Sequence, residues 1–209
     1  IKEQNPEHIQ QHIKRFLFVT ARLYAIAPEQ MQVLTPMNKG PCGTQQLNHY
    51  IQTLINPTPS ASLNTQFITY SVGDRVMQTR NNYEKQVFNG DIGTVSFINT
   101  EDRTLTVAYP EHSVTYHAGD TNEITLAYAV TIHKSQGSEY SGVIIPVFMQ
   151  HYTLLQRNLI YTAITRAQHL CILVGDPRAI GMAIKTTQSN KRITFLPEFL
   201  REQCAHIST

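Results

Sequence analysis

This 209-residue chain has few cysteines, no long apolar run and no signal peptide, which excludes several classes of protein. It has only three cysteines, Cys42, Cys171 and Cys204, which are too few for a disulfide framework and lack the spacing of a metal site. Its longest apolar run, residues 143–149, falls far short of the roughly 18 residues that a membrane span needs. Residues 1–15 are polar and lack the apolar core of a signal peptide. We therefore expect a protein of a reducing, cytoplasmic setting without a membrane partner.

Charge is scarce as well, at 15% of the residues with a net charge of +2. So weak an excess permits a local nucleic-acid-binding patch but does not predict one. With 41% hydrophobic residues and no Trp, the composition is that of a globular chain, neither disordered nor fibrous. The length suits one large domain, or a domain with a small insert. Because the chain opens on Ile1 rather than Met, we expect it to be part of a longer polypeptide.

Helical and strand-like patterns alternate along most of the chain. Residues 6–26 carry apolar groups at helical spacing, residues 32–35 predict a buried strand, and Leu47 and Ile51 mark a second helix. The later patterns predict, in order, a helix over residues 126–136 that Gly137 ends, a strand over 143–148, a helix over 154–166, a strand over 170–174 and a helix over 177–185. Such alternation predicts an α/β fold in which a parallel sheet carries helices on both faces.

Residues 72–118 follow a different, strand-like period. Short β-rich runs are separated there by turn signals such as Asn89-Gly90-Asp91. Strands this short and this regularly spaced predict a small barrel of roughly 45 residues. Because the α/β alternation resumes afterwards, we predict an α/β domain over residues 1–71 and 119–209 with a barrel insert over residues 72–118.

Two segments carry the polar chemistry. Residues 131–139 place hydroxyl, imidazole and ammonium groups just before a buried strand, at the kind of junction where parallel sheets bind ligands. These donors suit phosphate oxygens, and Glu139 suits a sugar hydroxyl. A solvated helix end followed by a turn explains the same composition equally well. Arg166, at the end of a predicted helix, either satisfies loose carbonyls or stabilises a transferring phosphate, an effect of about 10³ to 10⁵ in rate.

Taken together, the motifs resemble those of one family. Residues 131–139 (TIHKSQGSE) resemble motif V of superfamily 1 helicases, and residues 161–167 (YTAITRA) resemble motif VI. Residues 33–41 resemble the start of the second motor domain of RecD-like helicases, the family of the exodeoxyribonuclease V α subunit. Residues 73–78 and 87–93 resemble the segments that frame the SH3-like insert of that branch. The resemblance implies a RecA-like parallel sheet interrupted by an SH3-like β-barrel.

The resemblance also implies roles for individual residues. Arg166 would be the catalytic arginine that senses the γ-phosphate of ATP from across a cleft, with Gly137 and Glu139 beside the nucleotide. The implied contacts to single-stranded DNA are Thr35, Lys39, Thr131, His133 and Lys134, although Lys39 equally suits a solvated loop. Gln136 and Thr165 would couple the two sites. In the insert, the basic, amide and aromatic residues implied to contact DNA are Arg75, Arg80, Asn81, Tyr83 and Lys85. No metal site is expected.

Two absences locate the missing part of the motor. The sequence contains no Gly-x-x-x-x-Gly-Lys-[Ser/Thr] loop and no acidic strand-end pair for Mg²⁺. We therefore expect an upstream RecA-like domain of the same polypeptide to hold ATP and Mg²⁺, and this chain to be inactive alone. No cluster of carboxylates supports a nuclease.

The implied function is an ATP-dependent 5′–3′ DNA helicase of recombinational repair. It would act on single-stranded DNA either alone or with the other subunits of a RecBCD-type complex. The alternatives are the helicase half of a conjugative relaxase and a non-catalytic module that docks nucleic acid or a partner protein.

Overall fold

The computed structural model describes residues 1–187, which form three sheets and the helices around them. The helices are α1 (Ile9–Arg15), α2 (Ala21–Leu23), α3 (Thr44–Ile55), α4 (Arg157–Ile164) and α5 (Pro177–Lys185), with a π-helical turn (Phe16–Thr20) between the first two. The strands are β1 (Met31–Thr35), β2 (Ser62–Asn64), β3 (Thr69–Ser71), β4 (Arg75–Gln78), β5 (Ile92–Asn99), β6 (Thr104–Ala108), β7 (Ser113–His117), β8 (Ile124–Leu126), β9 (Ala129–Thr131), β10 (Tyr140–Val147) and β11 (Ala167–Gly175).

A four-stranded parallel sheet in the order β11-β10-β1-β9 forms the centre of the α/β part. Every residue of β1 is buried, and neighbouring residues belong to different apolar clusters. Val33 and Ile144 pack with the apolar residues of α1 and α3, whereas Leu34 and Ile145 pack with those of α4 and α5. Helices therefore cover both faces of the sheet, and the predicted fold class is confirmed.

The insert is a five-stranded antiparallel sheet in the order β7-β6-β5-β4-β8. Buried and exposed residues alternate along β7, as expected where one face of a sheet meets a core and the other meets water. The strand β8 lies beyond residue 118, but it pairs with β4 through Val76 and Leu126. The sheet thus continues past the predicted boundary of the insert, which itself stays a prediction.

The predicted helix over residues 126–136 is wrong. The segment instead contains the end of β8, the strand β9 and a 3-10 turn over Ile132–Ser135. In β9, Ala129 pairs in parallel with Val33 of β1, and the side chain of Asn48 bonds both the N–H and the carbonyl of Ala129, at 2.7 and 2.9 Å. Short apolar runs fit helical and strand periods alike, and these long-range partners decide in favour of the strand.

A buried carboxyl group joins the insert to the α/β part. Asp74 has no exposed surface and accepts four hydrogen bonds from different segments. Gln52 and Asn56 of the α3 region donate at 2.5 and 2.8 Å, the backbone N–H of Ser71 at 2.7 Å, and the hydroxyl of Tyr128 at 3.0 Å. The start of the barrel is therefore fixed relative to α3. Across residues 1–187, no helix combines the length and apolar character needed to cross a membrane.

Candidate nucleotide and nucleic-acid edge

The carboxyl ends of β1 and β9 lie side by side, with Thr35 and Thr131 as register partners. Beside them, a cavity of about 350 Å³ is lined by Lys39, Thr131 and Lys134, among others. Thr35 differs from these three residues, because it is fully buried and its hydroxyl donates to the carbonyl of Cys42 at 2.5 Å. The structure thus brings Lys39, Thr131 and Lys134 together, whereas Thr35 fixes the following loop instead of facing a ligand.

His133 and Gln136 line a second, smaller cavity of about 140 Å³ beside the start of α4. The 3-10 turn explains this division, since side chains three residues apart eclipse each other in that geometry. Lys134, which directly follows His133, lines the first cavity instead. The predicted DNA contacts His133 and Lys134 therefore face different spaces. Gln136 shares its cavity with Thr162 of α4, which connects the two polar segments.

Arg166 follows α4 and lies against the residues 131–139 segment. Its Nη1 donates to the carbonyl of Ser138 at 3.1 Å, its Nε to the carbonyl of Thr162 at 3.3 Å, and its Nη2 to the hydroxyl of Thr165 at 3.3 Å. These bonds use three of the five N–H donors of a guanidinium. None of the ion pairs within residues 1–187 involves Arg166. The side chain thus satisfies a helix-end carbonyl and still keeps donors for an anion.

Gly137 and Glu139 lie within two residues of the carbonyl that holds Arg166. Gly137 has a φ of +87°, a left-handed conformation that a side chain disfavours, and a Cβ there would meet no atom within 4 Å. Glu139 is exposed, and its carboxyl accepts from Gln168 at 3.0 Å. The backbone N–H of Tyr140 donates to the carbonyl of Arg166 at 2.9 Å. The two motif segments therefore form one continuous edge at the start of β10.

The insert reaches this edge through a contact that the sequence did not indicate. The guanidinium of Arg75 lies 5.6 Å from the centre of the Tyr140 ring, and its Nη1 donates to the carbonyl of Glu29 at 3.2 Å. Burial raises the pKa of the Tyr140 hydroxyl, and the face of the neutral ring attracts the guanidinium in a cation–π contact. Arg75, one of the residues implied to bind DNA, is thus engaged within the chain.

Two other basic residues of the insert are also engaged internally. Lys85 forms ion pairs with Asp120 at 3.1 Å and Glu123 at 3.7 Å, and its ammonium lies 4.6 Å from the centre of the Tyr116 ring. Arg80 lies 3.9 Å from Glu123 and donates to Asn122. Tyr83 is exposed and packs edge-on against Phe88, with ring centres 5.9 Å apart. The hairpin that carries these residues therefore has less unpaired positive charge than its sequence indicates.

The part of the chain that the structure describes contains no group of three or more His, Cys, Asp or Glu side chains suited to a metal ion.

Two family models match the chain. The model of the ATP-dependent RecD-like DNA helicase SH3 domain matches residues 47–109, and that of the UvrD-like helicase C-terminal domain matches residues 126–174, which include both motif segments. The RecD2 DNA helicase of Deinococcus radiodurans is 37% identical over 174 residues, which are 83% of this chain and 24% of that protein. The chain belongs to the RecD-like helicase family.

A RecD subunit matches over a similar part of the chain. The RecBCD enzyme subunit RecD of Mycolicibacterium smegmatis is 29% identical over 157 residues, which are 75% of this chain and 27% of that subunit. The RecD-like chain thus spans about a quarter of the curated relatives it matches, at 24% and 27% of their lengths. It corresponds to the C-terminal region of a superfamily 1 helicase.

Solved structures agree on the fold of this RecD-like region. The Pif1 helicase from Bacteroides, solved with ADP-AlF3 and single-stranded DNA, gives a TM-score of 0.52 at 18% identity, covering 97% of this chain and 55% of that one. The Pif1 helicase from Candida albicans gives 0.50 at 17% identity, covering 98% of this chain and 60% of that one. At these identities the likeness concerns the fold alone.

Proposed function

We propose that this chain supplies the arginine finger and part of the strand-binding surface of an ATP-dependent 5′–3′ DNA helicase that acts in recombinational repair. The observation that carries the proposal is the placement of Arg166. Its guanidinium is held by the carbonyl of Ser138 at 3.1 Å, beside Gly137 and Glu139, and has no carboxylate partner among the described residues. A guanidinium held in place without a carboxylate partner suits a phosphate that gathers negative charge during transfer.

In this proposal, an upstream RecA-like domain of the same polypeptide holds ATP and Mg²⁺. When that domain closes on the edge, the remaining donors of Arg166 meet the γ-phosphate. Glu139 accepts a hydrogen bond from the ribose, and the backbone at Gly137 approaches the phosphates. The chain alone therefore does not turn over ATP, because the groups that bind the nucleotide most tightly lie outside it.

The strand-binding side uses Lys39, Thr131 and Lys134, which share one cavity and suit the phosphates of single-stranded DNA. His133 contributes from the neighbouring cavity. Gln136 and Thr165 couple the two sites, since Gln136 shares a cavity with Thr162 and both threonines bond Arg166. A change in the position of Arg166 therefore affects the strand-binding turn.

The motor works either within a complex of several subunits, as the RecBCD subunit among the relatives suggests, or alone, as the RecD2 helicase suggests.

The test is the substitution Arg166→Ala in the full-length protein. We expect DNA-stimulated ATP hydrolysis to fall by about 10³-fold or more while ATP binding is retained. Arg178→Ala is the matched control, because the exposed guanidinium of Arg178 pairs with Asp176 at 2.7 Å, away from the edge. Arg166→Lys keeps the positive charge but loses the planar set of N–H donors, so it should recover only part of the rate of ATP hydrolysis. Undiminished hydrolysis by Arg166→Ala would favour the docking-module alternative and end the motor proposal.

A further inference from the structure

The cavity beside Lys39 and Lys134 continues into a larger one. The second cavity, of about 520 Å³, is lined by His49, Gln52 and Phe67, among others. The two cavities share five lining residues, namely Thr44, Gln45, Asn48, Thr125 and Leu126. They therefore form one groove along α3, which we call the α3 groove. From Thr44 to Gln52 the helix rises about 12 Å, enough for roughly two to four nucleotides of an extended strand.

The lining of the α3 groove suits a polyanion with exposed bases. Lys39, Lys134 and His49 are exposed and basic, and among the described residues no carboxylate lines either cavity. Asn48 and Gln52 are engaged in holding Ala129, Thr69 and Asp74, which makes the floor of the groove rigid. A groove with this positive charge attracts a phosphate backbone and repels a basic protein surface.

Phe67 stands at the far end of the α3 groove, on the tip of the β2–β3 hairpin. Its side chain is 86% exposed, the largest value among the exposed apolar side chains of the described residues. The hairpin beneath it is firmly held. Thr65 closes the turn through its N–H and its hydroxyl, which donate to the carbonyl of Ile68 at 3.0 and 2.7 Å. Tyr70 is buried, and its hydroxyl donates to the carbonyl of Ile124 at 2.8 Å.

Single exposed aromatic residues are common on protein surfaces and need no ligand. Phe67 differs because its ring stands on an anchored hairpin at the end of a basic groove. Because the hairpin backbone is already ordered, a planar partner that covers the ring has to order only the Phe67 side chain. Stacking of a nucleobase on such a ring contributes about 1 to 3 kcal/mol and tolerates any base.

We propose that the single strand runs along the α3 groove from Lys134 to the β2–β3 hairpin, where a nucleobase stacks on Phe67. The inference rests on the proposed helicase function, because it extends the strand path from the residues assigned there. It assigns a base contact to a residue outside the helicase motifs. The groove binds the phosphates, and Phe67 limits how far the strand can shift when the arginine edge moves.

The experiment measures binding of a labelled oligo-dT strand to the full-length protein by fluorescence anisotropy. We expect Phe67→Ala to weaken binding about 5- to 150-fold, the range that corresponds to 1 to 3 kcal/mol. Phe67→Tyr should bind as the wild type does, whereas Phe67→Leu should be as weak as the alanine variant, because leucine is apolar but cannot stack. Phe97→Ala is the matched control, since Phe97 is 60% exposed on the barrel away from the groove.

The salt dependence of binding separates base stacking from phosphate contacts. ATP hydrolysis by Arg166→Ala separates the Phe67 contact from the motor proposal. Loss of a neutral ring should leave the dependence of log affinity on log salt unchanged, whereas Lys134→Ala should lower its slope by about 0.7. Equal binding by Phe67→Ala and Phe97→Ala, or full binding by Phe67→Leu, would overturn the hairpin contact. Either result would leave the motor proposal standing if Arg166→Ala still abolishes hydrolysis. Conversely, weak binding by Phe67→Ala together with intact hydrolysis in Arg166→Ala would support the contact in a protein that is not driven by Arg166.

Discussion

Replacement of Asp74 by alanine tests the junction between the barrel and the α/β part. The substitution removes the acceptor of four hydrogen bonds, which come from Gln52, Asn56, Ser71 and Tyr128 at 2.5 to 3.0 Å. A buried donor left without a partner costs about 1 to 3 kcal/mol. The four costs do not add fully, because neighbouring groups relax together. We expect the free energy of unfolding to fall by roughly 3 to 5 kcal/mol, a large fraction of the 5 to 15 kcal/mol typical of a domain.

The measurement is equilibrium unfolding in urea, followed by far-UV circular dichroism because the chain has no Trp. Glu101→Ala is the control, since Glu101 is exposed in the β5–β6 turn and its loss should change stability by no more than about 0.5 kcal/mol. Asp74→Asn keeps one acceptor oxygen and should lose less than the alanine variant. A loss below about 1 kcal/mol in Asp74→Ala, relative to the control, would refute the role of Asp74 as the junction.

Two further predictions concern pH and packing. Burial lowers the pKa of His151 from 6.5 to about 4. Between these pH values the unfolded chain binds a proton that the folded chain does not bind. The free energy of unfolding should therefore fall by up to about 3 kcal/mol as the pH drops from about 6.5 to about 4. Urea titrations at pH 7 and 5 should show this loss of stability in the wild type and in the control His117→Asn. They should not show it in His151→Asn. Gly93→Ala places a Cβ 2.5 Å from Val107 Cγ1 and 2.8 Å from the Ala108 carbonyl. It should cost about 1 to 3 kcal/mol in thermal unfolding, whereas Gly119→Ala, which meets no atom within 4 Å, should melt as the wild type does.

The elements that could be predicted from the sequence are those with local determinants. The helix α5 begins at Pro177 and ends at Lys185, as predicted, because proline suits a first turn and the side chain of Asp176 caps it by accepting from the N–H of Arg178. In α3, the helical spacing of Leu47 and Ile51 matches the face that is buried against the core. In these segments, local preference and tertiary packing favour the same structure.

The segments that were predicted wrongly depend on distant partners. The strand β9 is defined by its pairing with β1 and by Asn48, which lies 81 residues before Ala129. The resemblance implies a DNA contact for Lys85, whereas in the structure its ammonium donates to Asp120, which lies 35 residues further along the chain. A period read along a short stretch contains no information about such partners, so it cannot separate a buried strand from a helix or a paired cation from an exposed one.

The sequence shows which polar residues share a segment, but it does not show how their side chains are oriented. The sequence brought Thr131, His133 and Lys134 into one segment, and the resemblance assigned all three to the strand. The direction of each side chain depends on the 3-10 turn, which sends His133 and Lys134 into different cavities. Phe67 carries no signal in the sequence beyond its aromatic ring, because its exposure follows from the hairpin around it.

Asp74 and Arg75 connect the barrel to two different parts of the α/β domain. They are adjacent in sequence, and adjacent residues of extended chain point to opposite sides. Asp74 faces α3, whose other residues line the groove proposed for the strand, whereas Arg75 faces Tyr140, whose backbone N–H bonds the carbonyl of Arg166. A displacement of β4 therefore acts on both places at once. The insert is thus tied to the Arg166 edge and to the α3 groove through two neighbouring residues, and in the proposed helicase it would hold the spacing between them.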